Sequence, residues 1–173
     1  MDKSINNIGN YYEIKENIAY ISVLKKNGTE LTTMIDAKDL EKVTSMGTWF
    51  AEWNKYYNNY IVQNISTTKK NKKAKPLKQS MQSVILNVNP KSPIRYINGD
   101  TLDNRKANLE IFNQNTPNDY EINEGVVTII LKDKLGKKEG IALISEEDLS
   151  KVINDKYSWV MHKNHKKHEV VAN

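Results

Sequence analysis

Cysteine is absent from the sequence, and so is any long apolar run. Without cysteine the chain forms neither disulfides nor thiolate zinc sites, which suits an intracellular protein. No apolar stretch approaches the ~20 residues that a membrane span requires. The first seven residues also lack the basic-then-apolar pattern of a signal peptide. We therefore expect a cytoplasmic protein with no membrane partner, no cofactor and no metal site.

The positive charge is concentrated in one short stretch that contains no acidic residue. The 173-residue chain has 26 lysines and arginines against 21 aspartates and glutamates, a net charge of +5. Six lysines fall within ten residues that contain no acid: Lys69, Lys70, Lys72, Lys73, Lys75 and Lys78. This density is typical of an arm that contacts phosphates, but a solvated lysine-rich loop between two strands also explains it. The pattern predicts a mobile basic loop over residues 67–79.

An internal repeat is the clearest large-scale pattern. The triplet Tyr-Glu-Ile begins at Tyr12 and again at Tyr120, an offset of 108 residues, and the offset between Trp49 and Trp159 is 110. Each copy has two alternating segments around a glycine turn, then a short helix, a tryptophan and a final strand pair. Because a residue repeated with the fold more often serves the fold, we expect both tryptophans to pack against helices. Such a duplication indicates either two similar binding surfaces or two halves of one core.

Alternation of apolar and polar residues places the main strands. It predicts strands over residues 19–24 and 31–35 in the first copy, and over residues 126–131 and 140–144 in the second. Short helices follow the second strand of each copy. The sequence therefore predicts an α+β fold in which small β-rich modules, each with a short helix, flank a central segment.

Helix starts are indicated by small polar residues that can accept backbone hydrogen bonds. Asp36 and Ser145 are the predicted N-caps of the two repeated helices. In the central segment, Asp103 or Asn104 is expected to cap a helix over residues 105–109.

The central segment, residues 94–110, reads IRYINGDTLDNRKANLE and resembles the closing half of an HNH endonuclease motif. We call these residues the HNH-like segment. In that family an Asp-His pair ends a strand ahead of a loop of the type xNGDxLDNR, and a short helix carrying Asn-Leu follows. The matching residues are Ile97, Asn98, Gly99, Asp100, Leu102, Asp103, Asn104, Arg105, Asn108 and Leu109. The repeated module resembles the β-rich region ahead of this motif in many phage and mobile-element homing endonucleases. Together the two resemblances cover residues 12–115.

The catalytic positions of that family are not matched. Arg95 stands where the family has its metal-binding Asp, and Tyr96 stands where it has its general-base His. Its first His falls on Gln82, so that Asn108 alone remains as a possible ligand. A guanidinium has no lone pair for a cation but binds phosphate well, and a phenol with a pKa of about 10 is a poor base near neutrality. We therefore expect no metal-dependent cleavage from this degenerate ββα segment.

The resemblance and the charge pattern together predict three regions and a function. The regions are residues 1–66, residues 67–118 with the HNH-like segment, and residues 119–173, with a linker over residues 113–118. The leading hypothesis is a non-catalytic protein that binds duplex DNA, encoded by a phage and acting as a regulator or accessory factor in the bacterial host cytoplasm. Its expected phosphate contacts are the six lysines above together with Arg95, Arg105 and Lys106.

Two other functions remain open. The chain is alternatively a protein-interaction module that inhibits or modulates a host or phage protein. A further alternative is an active HNH nuclease with the atypical ligands Asp100, Asp103 and Asn108.

Histidines and tyrosines give weaker signals. All three histidines lie in residues 162–168 among lysines, which favours a solvated basic hairpin turn over a metal site. Tyr56, Tyr57 and Tyr60 have two interpretations, as strand residues near a turn or as aromatic contacts with nucleic acid.

Overall fold

A computed structural model describes residues 4–5, 9–113 and 116–173 of the chain. The fold is α+β, mostly strands with a few short helices, which confirms the predicted class. The chain divides into two compact units, Met1–Ile111 and Phe112–Asn173. The signal-peptide expectation and the linker prediction partly concern residues 1–3, 6–7, 114 and 115, which lie outside the described residues.

The first unit is built around one large sheet. Its strands are β1 (Ser4–Ile5), β2 (Tyr11–Lys15), β3 (Ile18–Leu24), β4 (Glu30–Asp36), β5 (Phe50–Asn54), β6 (Asn59–Lys70), β7 (Pro76–Ser80), β8 (Ile94–Tyr96) and β9 (Leu109–Ile111). Its helices are α1 (Leu40–Thr44) and α2 (Met81–Leu86), with 3-10 turns at Ala37–Asp39 and Lys106–Asn108. The order in the sheet is β1-β2-β3-β5-β6-β7, β4 pairs with β3, and β8 pairs with β9 separately.

The predicted three-region division differs from these units. Strand β6 runs without interruption through residue 66, where the first boundary was expected. Met81 and Ile85 of α2 are buried in the same core as Ile21 of β3. Residues 67–111 therefore belong to the first unit, because their apolar side chains complete its core.

Alternating side chains explain the strands of this core. Ala19, Ile21 and Val23 of β3 are buried, while the residues between them are only partly so. A pleated strand turns successive side chains to opposite faces, and these three therefore face one core. All four strands predicted from alternation are present, with slightly different ends.

An asparagine fastens Trp49 at the start of β5. The Asn10 amide donates to the carbonyls of Ser22 and Trp49, both at 2.9 Å, and its oxygen accepts from Trp49 N at 2.7 Å. The indole N–H of Trp49 donates to the Val43 carbonyl at the end of α1, 2.8 Å away. Trp49 is 1% exposed, which confirms that it serves the core.

The second unit is smaller. Its elements are β10 (Tyr120–Asn123), β11 (Val126–Lys132), β12 (Lys138–Ser145), a 3-10 turn (Glu146–Asp148), α3 (Leu149–Val152), β13 (Trp159–Lys163) and β14 (His168–Ala172). Strands β10, β11 and β12 form one antiparallel sheet, and β13 and β14 form the hairpin expected around the histidines. The described helices of the chain all lack the length and apolar character needed to cross a membrane.

In the second unit an asparagine side chain holds a tryptophan by the same hydrogen bonds as Asn10 and Trp49. Asn118 Nδ2 donates to the carbonyls of Ile130 and Trp159, and Trp159 N donates to Asn118 Oδ1 at 2.7 Å. The Trp159 indole donates to the Val152 carbonyl at 2.8 Å. The two units thus share one hydrogen-bond pattern, although the duplication itself stays a prediction.

The predicted N-cap residues of the repeated segments are confirmed in position, but they do not cap through their side chains. Asp36 and Ser145 do precede the 3-10 turns, but neither side chain makes a capping hydrogen bond. The Asp36 carboxylate instead accepts from Lys106 N at 3.0 Å, which ties β4 to the HNH-like segment. The Asp36 side chain therefore bonds to a residue 70 positions away instead of to the first turn of its own helix.

We predict that a fragment ending at Asn115 folds alone. It retains the whole first unit, whose core contains Trp49, Met81 and Ile94. Such a core supports a single cooperative thermal transition by circular dichroism. A fragment that aggregates, or melts without a cooperative transition while the full chain melts sharply, would show that the two units depend on each other.

Candidate functional site

The lysine-rich residues 69–78 lie in a hydrogen-bonded β-hairpin, so the predicted loop over residues 67–79 is wrong. Strands β6 and β7 pair from Gln63 with Ser80 to Ile65 with Lys78 and, after a shift of register, again at Lys70 with Pro76. Asn71 shapes the turn, because its side-chain oxygen accepts from Lys73 N at 2.9 Å and from Lys75 N at 3.1 Å. The sequence did not indicate strands here, because a run of lysines and threonines has no alternation of apolar and polar residues.

The hairpin presents its charge to solvent. All six lysines are exposed, and five of them make no ion pair within the described ranges: Lys69, Lys70, Lys72, Lys73 and Lys75. Lys78 differs, since its Nζ lies 2.9 Å from both carboxylate oxygens of Glu52. The tip of the hairpin is therefore a cluster of uncompensated positive charge.

The HNH-like segment is organised by one buried carboxylate. Asp103 is 0% exposed and accepts hydrogen bonds from Asn98 Nδ2 at 2.9 Å and from Arg105 Nε and Nη2 at 2.8 and 2.7 Å. Arg105 N also donates to it at 3.3 Å, whereas no side chain caps the 3-10 turn that replaces the predicted helix over residues 105–109. The hydrogen bonds from Arg105 lower the pKa of Asp103 and raise that of Arg105.

The same segment is bonded to the edge of β4. Met34 N donates to the Leu102 carbonyl at 2.9 Å, and Asn104 N donates to the Met34 carbonyl at 2.8 Å. Asn104 Nδ2 donates to Thr33 Oγ1 at 2.9 Å. The loop is thus an integral part of the first unit.

Asn108 closes the loop from inside. Its Nδ2 donates to the Asp103 carbonyl at 2.9 Å, and its Oδ1 accepts from Asn98 N at 2.8 Å. Both ends of the amide are therefore engaged within the loop. Asp100 lies in the exposed turn, where its Oδ1 accepts from Leu102 N at 2.9 Å. The atypical ligand set of Asp100, Asp103 and Asn108 thus has local hydrogen-bond roles at all three positions.

Gln82 and Tyr96, which stand at two histidine positions of the resembling family, both lie against Tyr57. The rings of Tyr57 and Tyr96 meet edge to face with centroids 5.3 Å apart. The Tyr57 hydroxyl donates to the Ile94 carbonyl and is hydrogen-bonded to the Gln82 side chain. Burial raises the pKa of Tyr57, and it raises that of Tyr96 well above the ordinary value, so both remain neutral phenols. These contacts give Tyr57 a structural role in the core of the first unit.

Arg95 is not brought to this cluster. It alternates with the buried Ile94 and Tyr96 along β8, so its side chain is exposed and its Nε lies 2.6 Å from Glu110 Oε2. Lys106 Nζ lies 3.5 Å from Asp39 Oδ1. Arg95 and Lys106, like Arg105, therefore each have an acidic partner within the unit.

Within the described residues, no three histidine, aspartate or glutamate side chains are grouped so that they could hold a metal ion. Comparison of the chain with protein-family models, with curated proteins and with solved structures found no match. The resemblance to HNH endonucleases therefore remains a prediction from the residues of the central segment.

Two features of the site were missed in the sequence analysis. Tyr57 joins Gln82 to Ile94 although the three are far apart in the chain, and no local pattern signals that contact. Trp53, which is exposed, and Tyr60, which is partly buried, form an aromatic pair whose cross-strand register follows from the turn between β5 and β6. The alternation WNKYYNNYIV was a usable signal for that pair.

We predict that Asp103→Asn lowers the free energy of unfolding by about 2 kcal/mol at pH 7, because it removes charged hydrogen bonds from a buried position. Chemical denaturation at several pH values measures this. The pKa of Asp103 is lowered in the folded protein, so its stabilisation is complete above the usual aspartate pKa of about 3.9 and is lost as pH falls further.

The matched control is Glu110→Gln, which removes the solvent-exposed ion pair with Arg95. Exposed pairs contribute at most about 1 kcal/mol, so this variant should remain close to the parent. Equal stability of Asp103→Asn and the parent at pH 7 would contradict the role given to Asp103.

Proposed function

We propose that this protein binds duplex DNA without cleaving it, and that the β6–β7 hairpin makes the main contact. The observation that carries the proposal is the cluster of five exposed lysines, which has no compensating acid among the described residues. Lysine ammonium groups held together in this way attract a phosphate backbone and release its counterions.

The form of the hairpin also suits a duplex. The major groove of B-DNA is about 12 Å wide and admits a two-stranded β-ribbon. The lysines at the tip, around Asn71, would reach the phosphates on either side of such a groove. Contacts of this kind position a protein but carry little sequence information.

Arg95, Arg105 and Lys106 have a smaller part in this proposal than the sequence suggested. Each forms an ion pair within the unit, at 2.6, 2.7 and 3.5 Å respectively. A phosphate would have to compete with Glu110, Asp103 or Asp39 for them. We therefore assign the salt-dependent part of the affinity to the hairpin.

The absence of cleavage in this proposal is supported by the chemistry of the HNH-like segment. Tyr96 is a buried phenol with a raised pKa, which makes it an unsuitable general base near neutrality. Gln82 is buried against Tyr57. The amide oxygen and nitrogen of Asn108 are both hydrogen-bonded within the loop. A regulator or accessory factor of a phage in the bacterial cytoplasm fits a scaffold of this kind.

One observation favours a second function, the binding of a protein partner. Strand β12 is at the edge of its sheet, and its Ile141 and Leu143 are 47% and 63% exposed. An edge strand with exposed apolar residues can accept a strand from another protein. A host or phage protein bound there would be modulated or inhibited independently of the hairpin.

The hairpin proposal predicts the effect of replacing Lys69, Lys70, Lys72 and Lys73 with alanine. Each lost phosphate contact lowers the slope of log affinity against log salt by about 0.9, with a similar loss on any duplex sequence. Fluorescence anisotropy with a labelled duplex over a range of salt concentrations measures the slope. The variant should melt like the parent, because the replaced side chains are exposed.

A control variant removes the same charge from elsewhere on the surface, by alanine at Lys15, Lys38, Lys91 and Lys156, which are all exposed. It should weaken binding far less than the hairpin variant. Equal losses would show that net charge rather than the hairpin attracts DNA, and undiminished binding by the hairpin variant would refute the proposal.

A further inference from the structure

An aromatic pair lies on the surface of the first unit, at the opposite end of β6 from the lysines. Trp53 of β5 and Tyr60 of β6 are directly cross-strand partners, and their rings meet edge to face with centroids 5.3 Å apart. Trp53 is 53% exposed. Leu24, which is 50% exposed, lines the same surface groove.

Trp53 has none of the structural bonds that hold the other large aromatic residues nearby. The Trp49 indole donates to a backbone carbonyl inside the core, and so does the Tyr57 hydroxyl. In the described part of the chain, the Trp53 indole N–H has no hydrogen-bond partner. A large exposed ring with an unused donor is more than packing requires, and exposed aromatic surface of this kind is typical of binding sites.

The charge around the pair is positive. Lys25 Nζ lies 4.2 Å from the centroid of the Tyr60 ring, and Lys26 lines the same groove without an ion pair among the described residues. Glu52 is the one acid of the groove lining, and it is already paired with Lys78 at 2.9 Å. The groove therefore combines an aromatic face with two lysines, the chemistry that recognises a base and its phosphate.

Strand β6 connects this groove to the hairpin. Tyr60 is near its start and Lys70 at its end, ten residues on, which corresponds to about 33 Å at ~3.3 Å per residue. An oligonucleotide that contacts the hairpin lysines thus has a positively charged aromatic site within reach on the same unit.

We propose that an unpaired nucleobase of a single-stranded nucleic-acid segment stacks on Trp53, with its phosphates beside Lys25 and Lys26. This inference rests on the proposed function and adds a second class of ligand to it. Bases stack on aromatic side chains with little regard to sequence, because every base has a π-face. In a duplex the bases are already stacked on each other, so the site selects unpaired segments.

The experiment compares two single-stranded probes of about 16 nucleotides, the upper end of common site sizes. One is oligothymidylate, and the other is an abasic oligomer with the same phosphates. The parent protein should bind oligothymidylate about five- to a hundred-fold more tightly, which is the range expected for one stacked base. Trp53→Ala should reduce the affinity for oligothymidylate to that for the abasic probe and leave duplex binding unchanged.

Trp53→Phe is the second variant, because it retains a ring on which a base can stack. It should keep an intermediate preference for oligothymidylate, which separates stacking from any loss of stability in the alanine variant. Tryptophan fluorescence gives an independent readout, since oligothymidylate should quench the parent and leave Trp53→Phe nearly unaffected. The other two tryptophans, the buried Trp49 and the partly buried Trp159, provide the background.

Three outcomes would overturn the inference. If the parent prefers neither probe while its duplex affinity depends on the hairpin lysines, stacking is refuted and the proposed function stands. If the parent binds no nucleic acid even at low salt, both proposals fail. If Trp53 fluorescence responds to a polyglutamate peptide but to neither oligonucleotide, the groove binds an acidic protein segment instead.

Discussion

The HNH-like segment depends on the hydrogen bonds that the buried carboxylate of Asp103 accepts. A charge without solvent access is tolerated only when donors surround it, and here Asn98 and Arg105 supply them. These bonds fix the positions of the turn and of the 3-10 helix, while Asn104 fastens the loop to β4. The residues that resemble a nuclease motif therefore have a structural reason to be present. Their presence does not require that the chain cleave nucleic acid.

Local patterns predicted much of this fold. Alternation predicted β3, β4, β11 and β12, because a half-buried strand repeats every second residue. The burial of Trp49 was expected from its recurrence, as Trp159, at the same position of the repeat. The basic hairpin could not be predicted in the same way, since its strands have no apolar face to reveal their period. The Asn10 clamp was also invisible, because its partners lie 12 and 39 residues away in the chain.

In the candidate site, too, the sequence predicted local features but not contacts between residues far apart in the chain. The sequence indicated which positions depart from the HNH pattern, but not where their side chains lie. Gln82 and Tyr96 meet through Tyr57, whereas Arg95 faces the other side of β8 and pairs with Glu110. Adjacent residues of a strand alternate in direction, so Arg95 and Tyr96 do not converge. This arrangement leaves the hairpin lysines as the main proposed DNA contacts, reduces the part of Arg95, and adds the Trp53 groove as a proposed site.

We propose that the first unit binds DNA and leaves it intact. The most direct test is to incubate the purified protein at low salt with supercoiled plasmid, in Mg²⁺, in Mn²⁺ and in a chelator, and to run each sample before and after removal of protein. The account predicts the same retarded migration in all three conditions and only supercoiled plasmid once the protein is removed. Nicked plasmid that requires the metal, and that disappears with Asn108→Ala, would contradict it.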